Sequence, residues 1–146
     1  MSGKKTWAHR LNEGKAHEIK PAPISIAGMK AGQLMLVPSA RMVDEFIQGI
    51  PAGCGLNARQ LRQALAAAQG AEITCPITTG FHLRTVAEAT WEALSNGAPA
   101  CSLTPVWRVL PPDSPTLKKV SFDIRFIRRQ RELEGLVAEL TERDSL

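Results

Sequence analysis

The chain has 146 residues, 44% of them hydrophobic and 22% charged, the composition of one globular domain rather than of a disordered tail or a multidomain enzyme. At this length folding hides roughly 68 to 70% of the surface an unfolded chain exposes, so stability requires no disulfide, metal or other cofactor, and none is expected. A net charge of +4 permits a polyanionic partner without demanding one.

Three cysteines, Cys54, Cys75 and Cys101, form no C-x-x-C pair. An odd count excludes a fully paired disulfide framework and points to a reducing, cytoplasmic setting. No apolar run approaches the roughly 20 residues of a bilayer span, and the first residues lead into no signal core, so neither a membrane partner nor export is expected.

Residues 1–38 carry breakers at Gly14, Pro21, Pro23, Gly28, Gly32 and Pro38, which reads as an extended N-terminal arm packing on the body and ending in a short strand over 33–37. Ser39 is placed to cap a helix whose apolar positions Met42, Val43, Phe46, Ile47 and Ile50 recur at helical spacing, until Gly49, Pro51 and Gly53 stop it. Asn57 and Gln60 form a capping-box pattern. Ala58, Leu61, Ala64, Leu65 and Ala68 then line one face of a second helix that Gly70 ends.

Residues 71–78 read as a connection, after which Thr78 or Thr79 starts a third helix with Leu83, Val86, Ala87, Thr90, Trp91 and Leu94 inward and Gly97 closing it. Residues 104–110 and 116–120 read as two strands folded over the proline-rich turn at 111–115, a hairpin wing. Ser121 is placed to cap a last helix carrying Phe122, Ile124, Phe126, Ile127 and Leu133, with a charged tail over 137–146. The predicted fold is α+β, mainly α: a winged helix-turn-helix over 39–136 with a β-hairpin wing and an N-terminal extended arm.

Five short stretches then occur in a telling order: Ile50-Pro51-Ala52-Gly53, Leu56-Asn57-Ala58-Arg59-Gln60-Leu61, Arg84-Thr85-Val86-Ala87-Glu88-Ala89, Pro105-Val106-Trp107-Arg108-Val109-Leu110 and Leu133-Glu134-Gly135. Over about residues 41–136 the chain resembles the DNA-binding C-terminal domain of methylated-DNA protein-cysteine methyltransferases. The family's acceptor cysteine lies in a P-C-H-R-V motif, where this chain has Val106 and Trp107. Valine has no nucleophile, so alkyl transfer at that position is excluded, and the resemblance narrows to the alkyltransferase-like branch, which also lacks the cysteine.

That resemblance implies a non-enzymatic protein that binds double-stranded DNA, recognises alkylated guanine and marks it for other repair proteins. It places Arg84 as the intercalating cation that offsets base unstacking, and Val106 and Trp107 at a lesion pocket. The DNA-facing set on this reading is Asn57, Arg59, Arg62, Thr79, Arg84, Arg108 and Arg128. The tyrosine the family carries in its T-Y-G stretch has no counterpart, since Asn57 stands there and the chain contains no Tyr.

Two further readings stand beside it. The scaffold can serve as a winged-helix protein-interaction or regulatory module without lesion recognition, or Cys75, a few residues before a helix start whose dipole lowers a thiol pKa, can be a reactive thiol. His82, Cys75 and Cys101 have no zinc-site spacing, and no metal is expected. Arg125, Arg128, Arg129 and Arg131 on the last helix either meet phosphates or solubilise a terminal helix.

Overall fold

A computed structural model describes residues 6–136, and the predicted charged tail over 137–146 lies outside the described residues. The chain is α+β and mainly helical: α1 (Trp7–Asn12), β1 (Glu18–Pro21), β2 (Leu34–Val37), α2 (Ala40–Gln48), α3 (Ala58–Gln69), β3 (Ile73–Thr74), α4 (Pro76–Ser95) and α5 (Arg125–Leu133), with short 3-10 turns between α4 and α5. No described helix is long and apolar enough to cross a membrane.

Three strands form one sheet in the order β1-β2-β3. β1 runs antiparallel to β2 with Ile19 opposite Leu36, and β3 runs parallel to β2 with Leu36 opposite Thr74. Being central, β2 is covered on both faces, so Met35 and Leu36 are both buried although they point oppositely. Leu36 enters the helical core with Val43, Ile47, Leu61, Leu65, Val86 and Ile127. Met35 closes a smaller cluster with Ala22 and Met29.

The local signals at α2 and α3 act as their chemistry requires. Ser39 accepts the Met42 N–H, and Asn57 and Gln60 satisfy each other's backbone N–H groups at 2.8 Å. Gly70 takes φ +73° beyond α3, a left-handed cap that a side chain would disfavour.

Four expectations are corrected. The N-terminal arm is not simply extended: Thr6 caps α1, accepting the His9 N–H, and β1 joins the sheet. Within the expected connection at 71–78, Ile73 and Thr74 form β3, and α4 begins at Pro76, where a missing N–H is harmless because the first turn has no intrahelical partner for it.

The wing strands over 104–110 and 116–120 are absent; Val106–Val109 and Pro115–Lys118 are 3-10 turns. Pro105, Pro111, Pro112 and Pro115 remove donors a ladder needs, and Pro105, Val106, Trp107, Val109 and Leu110 are all buried, leaving no solvated strand face. Finally, Ser121 does not cap α5: it turns to Glu88 of α4, and Asp123 accepts the Arg125 N–H instead.

Candidate functional site

The stretch expected to correspond to the acceptor motif, 105–110, is packed inward. Val106 is fully buried and Trp107 nearly so, so the pocket-lining role expected of Val106 gives way to packing in the helical core. Trp107 stands edge-on to Phe126, with centroids 5.9 Å apart, and its backbone carbonyl accepts from Arg131 Nη1 at 2.7 Å.

Glu134 gathers this segment from the end of α5. Its carboxylate accepts from Trp107 Nε1 at 2.9 Å, from Arg108 Nε at 2.8 Å and Nη2 at 2.7 Å, and from the Gly53 N–H at 3.1 Å. Arg108 also donates to the Ile50 carbonyl at 2.6 Å. Both side chains of the pair are only 14% exposed. The Arg108 hydrogen bond, against some opposing desolvation and with help from Trp107 and Gly53, pulls the Glu134 carboxyl down to about 2. Arg108, expected at DNA, is therefore committed to an internal clamp joining the ends of α2 and α5.

Beside the clamp lies an open cavity of about 340 Å³ whose wall includes Gln48, Cys101, Trp107 and Glu134. Cys101, an exposed free thiol, is thus the cysteine the fold sets beside Trp107. Sequence spacing gave no sign of it, because four residues and a turn separate it from Val106.

Cys75 lies elsewhere. It precedes α4, packs against the small sheet cluster and accepts a hydrogen bond from Thr78 Oγ1 at 3.3 Å. Thr79, expected at the DNA surface, is buried and donates its hydroxyl to the Cys75 carbonyl at 2.7 Å.

Arg84 projects from α4 under α1. Its Nε is 3.5 Å from Glu88 Oε2, and its guanidinium carbon lies 5.5 Å from the Trp7 ring centroid. α1 is anchored there by Glu92 of α4, which accepts the Trp7 and Ala8 N–H groups at 3.1 and 3.0 Å. These are N–H groups that a helix start leaves without intrahelical partners, and a carboxylate also suits the positive end of the helix. The exposed part of α4 is its beginning, where Ile77 and Phe81 are 65% and 70% exposed.

Arg59 and Arg62 share the first half of α3. Arg62 is held below its ordinary value by burial first and by the charge of Arg59 second, and among the described residues neither forms an ion pair. Asn57 is exposed just before them, with its side-chain oxygen committed to the cap. Arg128 is exposed on α5, whereas Arg131 is buried. The structure thus brings Val106, Trp107 and Arg108 together with Glu134, and Arg59 with Arg62, while Arg84 and Thr79 sit apart from both groups. Among the described residues no cluster of His, Cys, Asp or Glu could hold a metal ion.

No family model matches the chain, and no curated protein or solved structure matches it.

Proposed function

We propose that the chain is a non-enzymatic DNA-binding protein on an alkyltransferase-like scaffold, which meets a duplex through phosphate contacts and recognises alkylated guanine for other repair proteins. The observation that carries the reading is the Arg59 and Arg62 pair. Two neighbouring guanidinium groups with no carboxylate between them concentrate positive potential at the start of α3, where the helix dipole adds to it. The ordered motifs over residues 41–136 support it, and so does the clamp of Arg108, Trp107 and Glu134, which keeps the former acceptor segment shaped without any nucleophile in it. Lesion reading by Arg84 requires α1 to leave α4, because Trp7 lies over that side chain.

Anisotropy titrations on duplexes with and without one alkylated guanine, across a salt series, test this. Tighter binding to the alkylated duplex is expected. The slope of log affinity against log salt should fall by about 0.9 for each of Arg59→Ala and Arg62→Ala. Equal, weak affinity for both duplexes removes lesion recognition, and an unchanged slope in the double variant removes the α3 contact.

A second reading, a protein-interaction or regulatory module on the same scaffold, is favoured by the covering of α4 by α1 and the burial of Thr79, Val106 and Trp107. Complete loss of duplex binding even at low salt would select it.

A further inference from the structure

α1 and α4 enclose a cavity of about 410 Å³ whose wall includes Trp7, Arg10, Phe81, His82 and Arg84. Its size is at the lower end of small-molecule pockets, which run from about 300 to 1,000 Å³. Three features of the wall are independent of one another. Trp7 and Phe81 supply aromatic surface, Phe81 standing edge-on to His82 at 5.8 Å. Two cations flank the same indole, Arg10 at 4.6 Å and Arg84 at 5.5 Å from its centroid.

The third feature is unmet hydrogen bonding. Among the described residues, the buried side-chain nitrogens left without a hydrogen-bond partner are His82 Nδ1 and Arg84 Nε, and both belong to residues of this wall. A buried polar atom without a partner costs about 1–3 kcal/mol, and such atoms in a folded protein mark a place where something else supplies the bond. Burial holds His82 below its ordinary pKa, with the hydrogen bond to the Pro38 carbonyl working against the shift; that bond takes the N–H of a neutral ring, which leaves Nδ1 as an acceptor facing the cavity. Glu88 stands at ion-pair distance from Arg84 without forming a hydrogen bond to Nε.

We propose that this cavity is a binding site for a small planar aromatic anion, a one- or two-ring molecule bearing a single carboxylate or phosphate. The ring lies against Trp7 and Phe81, its polar edge meets His82 and Arg84, and its anionic group faces the guanidinium groups of Arg10 and Arg84. Glu13, also in the wall, lies 3.5 Å from His9. The site does not depend on duplex binding, and its assay contains no duplex.

Calorimetry on the full chain with indole-3-acetate, phenyl phosphate and inorganic phosphate tests the proposal, together with the indole N–H resonance of Trp7. Saturable binding of at least one aromatic probe is expected, with a shift of the Trp7 resonance and at least tenfold weaker binding in both His82→Phe and Phe81→Ala. Phe81 is largely exposed, so its replacement leaves the core intact. The two aromatic probes separate a carboxylate ligand from a phosphate one. Absence of saturable binding by either, equal binding by inorganic phosphate, or unchanged affinity in Phe81→Ala would each overturn the proposal.

Discussion

Glu134 illustrates how much one side chain can organise. Its carboxyl sits at about 2 against an ordinary 4.5, so it contributes stability that is complete above about pH 4.5 and is lost as pH falls through 2. The shift corresponds to about 3 kcal/mol at roughly 1.36 kcal/mol per pKa unit. Glu134→Gln keeps the shape but leaves the largely buried Arg108 guanidinium unopposed, and is expected to destabilise by about 3 kcal/mol at pH 7. Urea titrations at several pH values check this: the gap between the wild type and the variant should close between pH 4.5 and 2, and a gap independent of pH would refute the clamp. Little of this was legible in sequence. Arg108 and Glu134 draw attention only through the resemblance, and a contact spanning 26 residues leaves no spacing signal, so the sequence alone points Arg108 outward rather than inside.

Elements with chemistry at their ends were the readable ones. Ser39 at α2 and the Asn57 and Gln60 box at α3 are local devices, formed by residues three apart. The segment 104–120 was not readable as turns because its conformation follows from what surrounds it: consecutive apolar residues are buried together, a pattern that also suits a strand. α1 escaped detection for another reason. At six residues, with none of them buried, it is too short to show periodicity, and it is held by Glu92 at its start together with Leu11 packed against the helical core and Trp7 against Arg84. Glu92→Ala is expected to lose about 1 kcal/mol of local stability, within the range for helix caps, and to detach α1. Hydrogen exchange over residues 7–12 should then rise to open-chain rates while the global melting transition hardly moves. A large drop in global stability would instead make α1 an integral part of the core.

At the scale of the whole molecule, the predicted α+β class was legible because helical periodicity over α2 and α3 is strong and because the strand expected over 33–37 is the central β2, whereas its two partner strands were not. β1 is exposed along its whole length and only four residues long, and β3 has only two residues. Leu36 joins the two halves, since it pairs with both neighbouring strands and enters the helical core. Leu36→Ala is expected to cost about 2–5 kcal/mol, the range for large-to-small core changes. Far-ultraviolet dichroism and tryptophan fluorescence should still report one coincident unfolding transition; separate transitions would mean that sheet and helices fold as independent units.

The parallel partner of β2 also has a temporal consequence. Glu72, whose carboxylate accepts the Leu34 N–H, lies 38 residues downstream of it. At a translation rate of about 5–20 residues per second, roughly 2–8 s pass before the ribosome has made that partner. For that interval the nascent β1 and β2 ribbon presents an unsatisfied edge of Leu34, Met35 and Leu36 to every other emerging polypeptide, so the yield of folded protein is set partly by how quickly α2 and α3 follow it out of the exit tunnel.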